Sequence, residues 1–172
     1  MSKLEKIKKH LNYLFLNTTP GVGPGSETWA RVGKSTEWTD TMNPKTTTHE
    51  FIEDSGPTDE IDSYQPSTSV PLTAFMGDPV YEYVFDLYKR QEVDARTKAM
   101  RVFQNKTDDN KNIAQVSDCT ITIENYNFTT GVITFSIKQG GTPKTGTAAV
   151  TESTNTDGDR IWTPVFTEAG EE

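Results

Sequence analysis

The sequence predicts a mainly β (α+β) fold: a β-sandwich or partial barrel with a single flanking α-helix. Three observations lead there. Threonine is the outlier of the composition, with 27 of 172 residues, and its branched Cβ suits a pleated, half-buried surface better than a helix. Several runs alternate apolar and polar residues with the period of a strand. Only one interior stretch carries both the start signal and the apolar spacing of a helix.

Taken in order, residues 1–16 place Leu4, Ile7, Leu11, Leu14 and Phe15 at helical spacing with lysines opposite, which predicts an amphipathic arm docked on its own protein or a sister subunit. Pro20, Gly21, Gly23, Pro24 and Gly25 follow; prolines remove donors and glycines resist ordering, so 17–26 reads as a linker. Strand-like runs come next at Trp29–Gly33 and Glu37–Met42, then a turn at Asn43-Pro44 and a further β run over 46–53. Glu50, Glu53, Asp54, Asp59, Glu60 and Asp62 surround Ser55-Gly56-Pro57 without a lysine or arginine among them, the pattern of an acidic hairpin tip or extended loop. Tyr64, Val70, Leu72 and Phe75 resume a strand, confined to an edge or bulged by Pro66 and Pro71.

The helix begins at Gly77-Asp78-Pro79. Asp78 can accept from the first free amides, and the fixed φ of Pro79 fits the first helical position. Val80, Val84, Leu87 and Tyr88 then form a stripe, and Lys89 and Arg90 sit at the negative pole. The remainder reads as hairpins: Met100–Phe103; Cys119, Ile121 and Ile123 alternating with polar residues; and Ile133, Phe135 and Ile137 on the partner strand, ended by Gly140-Gly141-Thr142-Pro143. A last pair, 147–151 and 160–166, flanks a turn at Asp157-Gly158. The chain thus divides into an arm and linker over 1–27, a β domain over 28–167 and an acidic tail over 168–172.

Charge and chemistry exclude more than they suggest. A formal charge of −8 and a pI near 4.8 repel nucleic-acid phosphates and argue against ordinary DNA binding. A single cysteine, Cys119, rules out an intramolecular disulfide and a multi-cysteine zinc site. Leu14-Phe15-Leu16 is too short to span a bilayer, and no cleavage site of a signal peptide follows it. His10 and His49 lie in different elements without a metal motif. Gly33-Lys34-Ser35 lacks the first glycine of a phosphate loop, Thr28 standing there, and Asn155, Asp157 and Asp159 lack the glycine and bidentate acid of a calcium loop. No catalytic, cofactor or metal site is expected, and the chain is read as a non-enzyme.

A set of landmarks in fixed order carries a resemblance: Leu16-Asn17, Trp29-Ala30-Arg31-Val32-Gly33, Asn43-Pro44, Phe51-Ile52-Glu53-Asp54, Ser63-Tyr64, Gly77-Asp78-Pro79 opening the helix, and Gly140-Gly141-Thr142-Pro143. Over nearly the whole chain they resemble the major tail (tail tube) proteins of siphophages that infect Gram-positive bacteria. The resemblance implies that six subunits close into a ring and that rings stack into a hollow tube, a virion part assembled in the host cytoplasm. It further implies a conduit for DNA ejection, with the tape measure, tail terminator and distal tail proteins as partners and no membrane. It offers the stretch Asp54, Ser55, Gly56, Pro57, Thr58, Asp59, Glu60 and Asp62, with the amino-terminal arm, as contacts between stacked rings. A ring of six would multiply the −8 charge and keep passing DNA from sticking to its wall. The rival expectations are a type VI secretion tube, a carbohydrate-binding β-sandwich presenting Trp29, Trp38 or Trp162, and a small hydrolase using Glu60 or Asp62.

Overall fold

The computed structural model describes residues 4–107 and 111–170. Ten strands and one helix follow in order: β1 Tyr13–Asn17, β2 Trp29–Arg31, β3 Thr39–Thr41, β4 Pro44–His49, β5 Thr58–Tyr64, β6 Ser67–Thr73, α1 Pro79–Arg90, β7 Ala95–Lys106, β8 Asn112–Asn127, β9 Val132–Thr154 and β10 Arg160–Glu168. The main sheet has the order β2-β1-β7-β8-β9-β6-β3, with β10 paired to the far half of β9, and every pairing is antiparallel. β4 and β5 form a separate two-stranded sheet.

β8 and β9 are long, and they bend. The register slips between Val116 and Asp118, opposite Gly140 and Lys144, and Gly141 holds φ +64°. A bulge turns the ribbon there, so the near half of β9 joins β6 and the far half joins β10. This corrects the expectation that Gly140-Gly141-Thr142-Pro143 ends the strand: Gly141 supplies the left-handed conformation that the bend needs, and the ladder continues past it. Gly146 is tight against the neighbouring strand, since a Cβ there would meet the Thr167 carbonyl oxygen at 2.0 Å.

The curl buries the middle of the sheet on both faces. Leu14, Leu16, Ala99, Cys119, Ile121, Val70, Leu72, Ile133, Phe135 and Ile137 meet α1 residues Val80, Val84 and Leu87 in one core. Phe15, Met100, Val102, Ala114 and Ala148 form a second on the opposite face, covered by Tyr13, Trp29, Trp162 and Phe166. Sealing Phe15 and Phe135 completely removes enough apolar surface to stabilise by about 1.5–3 kcal/mol each.

The amino-terminal stretch departs from the predicted amphipathic helix. Only Lys9–Leu11 makes a 3₁₀ turn, and Tyr13–Asn17 is a central strand. Leu14 and Leu16 enter one core and Phe15 the other; a strand covered on both faces shows a continuous apolar run, which helical spacing mimicked over a short window. Leu4 and Ile7 are exposed.

α1 follows its sequence signals. The Val80 amide donates to Asp78 Oδ1 at 3.3 Å, Pro79 opens the helix, and Gln91 closes it in the left-handed region. Burial pushes the Asp78 carboxyl above the ordinary aspartate range, against the pull of the Val80 amide. Residues 108–110, between β7 and β8, and 171–172 of the acidic tail lie outside the described residues.

Candidate self-assembly surface

The surface is built from its root outward. On β7, Arg101 is 2% exposed although charged. It reaches across to the opposite edge of the sheet path, where its Nε donates to Asp40 Oδ2 at 3.1 Å and its Nη2 to Asp40 Oδ1 at 3.3 Å. Nη2 also donates to Thr68 Oγ1 at 2.6 Å, Nη1 to Ser117 Oγ at 3.4 Å, and the Thr68 hydroxyl donates to Asp40. Four strands are thereby tied at one guanidinium, whose planar fork suits a carboxylate. β3, only three residues long, is held in place by this pair.

Immediately beyond β3 the chain leaves the body. Asn43 takes φ +44°, its Nδ2 donates to the Gln65 carbonyl at 3.0 Å and to Ser67 Oγ at 3.2 Å, and the Gln65 amide donates to the Met42 carbonyl at 3.1 Å. Asn tolerates the left-handed region, which explains the residue. From this pinned root β4 and β5 run out together, six pairs in register with one bulge between Lys45 and Thr46. Six residues of strand extend about 20 Å.

Nothing of the body covers this hairpin: from Thr41 to Gln65 every residue is exposed except His49, which is half-buried. Thr47 donates to Asp62, Thr48 Oγ1 donates to Asp59 Oδ1 at 2.6 Å, and His49 stacks on Phe51 at 5.5 Å and faces Glu60 at 3.6 Å. The tip closes with the Asp54 amide donating to the Phe51 carbonyl at 3.0 Å. Phe51 is 59% exposed and Ile52 fully so.

The sequence-derived contact residues divide here. Asp54, Ser55, Gly56 and Pro57 form the tip, whereas Thr58, Asp59, Glu60 and Asp62 belong to β5. The extended-loop alternative for this stretch is therefore corrected to a hairpin, because threonines on β4 bond the β5 carboxylates across the strands. The exposure of Phe51 and Ile52 side by side at the tip was not foreseen from the sequence; an apolar dipeptide set among acids was the available signal.

Among the described residues no group of three or more His, Cys, Asp or Glu could hold a metal ion, and no helix is long and apolar enough to cross a membrane. Trp29 and Trp162 pack half-buried on one core and Trp38 on the other. A cleft of about 430 Å³ is lined by Cys119, Glu27 and Lys98, but Lys98 Nζ is paired with Glu27 Oε1 at 2.8 Å, and burial pushes the Cys119 thiol up to about 12. A thiol raised above its ordinary value of 9.0 leaves stability intact below pH 9 and lets it fall as pH climbs toward 12, because the unfolded thiol ionises first. Cys119→Ala is expected to flatten the alkaline limb of the stability curve, read by urea unfolding between pH 8.5 and 10.5. The native thiol is expected to resist Ellman's reagent at pH 8 until the chain unfolds.

Comparison with solved structures finds the fold again in the SPP1 tail tube, determined by solid-state NMR and cryo-EM: TM-score 0.59, 17% identity, covering 83% of this chain and 80% of that one. The chain has a mainly β, tail-tube-like sandwich with one helix, as the sequence predicts. No protein-family model matches the sequence, and no curated protein matches it.

Proposed function

We propose that the chain is the structural subunit of the tail tube of a siphophage of Gram-positive bacteria. Six copies close into a ring, and rings stack into the conduit through which DNA is ejected. The observation that carries this reading is the uncovered β4–β5 hairpin. A lone two-stranded hairpin is marginal in water, and its two open edges invite another chain. A segment of 25 residues held outside the body, on a fold shared with a tail tube, makes sense once a neighbouring copy supplies the missing contacts.

Lateral closure has a separate candidate. β10 pairs only with β9 among the described residues, and Ile161 and Val165 point outward from it. The stacking contacts fall to Asp54, Ser55, Gly56, Pro57, Thr58, Asp59, Glu60 and Asp62, and the tape measure, terminator and distal tail proteins fill the lumen and cap the ends. The acidic subunit lines a channel that does not retain DNA. The work is structural and involves no catalysis or cofactor.

Negative-stain electron microscopy of the concentrated protein tests the reading. Rings or hollow tubes wide enough for duplex DNA are expected. A chain that stays monomeric at high concentration would overturn it.

A further inference from the structure

The hairpin tip needs a seat, and the body behind the hairpin root offers one. A groove of about 610 Å³ lies between the amino-terminal segment, the 31–38 loop and the end of β7, a volume in the range that encloses a drug-sized ligand and so suits two side chains. Ile7, Trp38 and Phe103 give it apolar walls; Lys9 and Arg31 give it positive charge, with Glu37 the acidic exception. Lys6 and Lys8 stand exposed beside it. The segment that forms the wall is held on β7: the Lys8 amide donates to Gln104 Oε1 at 2.6 Å, the Gln104 amide donates to Asn12 Oδ1 at 2.9 Å, and Arg31 Nη2 donates to the His10 carbonyl at 3.3 Å.

The tip is the complement. Phe51 and Ile52 are exposed between Glu50, Glu53 and Asp54, and Lys45 is the single basic residue against six acids from Met42 to Gln65. The two features also lie on opposite sides of the hairpin root. Thr41 pairs with Ser67 there, whereas Trp38 stands one residue before Thr39, which pairs with Ser69, and Ser35 bridges Leu72; the groove therefore begins about 10 Å behind the root, and the tip lies about 20 Å ahead of it. A tip on one side and its seat on the other describe a heterologous contact, which repeats without closing.

We propose that Phe51 and Ile52 of one copy seat in the Ile7–Trp38–Phe103 groove of the next, with Glu50, Glu53 and Asp54 facing Lys6, Lys8, Lys9 and Arg31. This rests on the self-assembly reading and names the partner surface within it. Opposite charges set the register and the rate of encounter, and the apolar pair supplies the desolvated centre.

The test uses the full chain with Ile7→Cys and Ile52→Cys together. Mild oxidation of concentrated protein is expected to yield a ladder of cross-linked oligomers that reductant collapses, while either single variant stops at dimers; buried Cys119 stays silent. In parallel, Lys6→Glu/Lys8→Glu/Lys9→Glu is expected to raise the concentration needed for tubes by about tenfold or more. Adding Glu50→Lys/Glu53→Lys/Asp54→Lys to the same chain is expected to restore it. Tubes that form without the 7–52 ladder, and whose assembly ignores both charge reversals, would overturn the docking and leave self-assembly standing. A wild-type chain that never assembles would overturn both.

Discussion

Deleting Ser55–Glu60 is expected to leave a folded subunit that no longer makes tubes. The segment closes the tip and begins β5, and none of it touches either core. Removing exposed residues that contact nothing buried shifts stability by about 0.5 kcal/mol or less, so the melting temperature should move by roughly 2 °C at most in a chain of this size. Polymerisation should fail, because the deletion takes out the turn that presents Phe51 and Ile52 and two of the six acids of the hairpin. Circular dichroism and electron microscopy of one preparation read both quantities. Tubes of wild-type length from a deletion variant with an unchanged melt would refute the role of the hairpin.

Asp40→Ala is expected to act in the reverse order, on the fold first. Arg101 keeps its charge whatever its partner, and its side chain is 3% exposed against 31% for Asp40. Truncating the carboxylate strands a buried cation with two neutral hydroxyls, a loss of about 3 kcal/mol or more, or on the order of 10 °C in melting temperature. Asp40→Asn keeps one acceptor oxygen for the fork and should recover part of the loss. The double variant Asp40→Leu/Arg101→Met should be milder than Asp40→Ala, since it leaves no orphaned charge; equal damage in both would show that packing, and not the ion pair, sets the cost. Because the pair holds the strand that feeds the hairpin, tube formation should weaken even at temperatures where Asp40→Ala is folded.

What the sequence made legible was local. Asp78-Pro79 announces a helix start through capping and a fixed dihedral, both properties of adjacent residues, and the helix begins there. The alternation of Cys119, Ile121 and Ile123 against Ile133, Phe135 and Ile137 reports one buried face, and those residues share one core. Failures came where distant segments decide. Leu14-Phe15-Leu16 reads as a helix fragment until a second core, whose buried residues Met100, Val102, Ala114 and Ala148 come 85 or more positions later, covers Phe15. Gly140-Gly141 looks like a terminator and is a bend, because the register of β8 opposite it slips. Arg101 lies in a run, Met100–Phe103, that the sequence marks only as a hairpin strand; its partner stands 61 residues back, on β3 at the far edge of the sheet path. For the candidate surface, the acidity and the turn at Asn43-Pro44 were legible, whereas its freedom from the body depends on what fails to pack against it.

The sheet order also bears on how the subunit emerges from the ribosome. Tyr13 pairs with Val102, so the first strand must wait for nearly 90 more residues, roughly 5–20 s at ordinary translation rates. Throughout that interval Leu14, Phe15 and Leu16 have only the three-residue β2 to lean on, too small a hairpin to hold by itself. A nascent chain in this state leaves an apolar strand without its partner until the second half of the protein is made, the kind of surface on which misassembly with neighbouring chains begins.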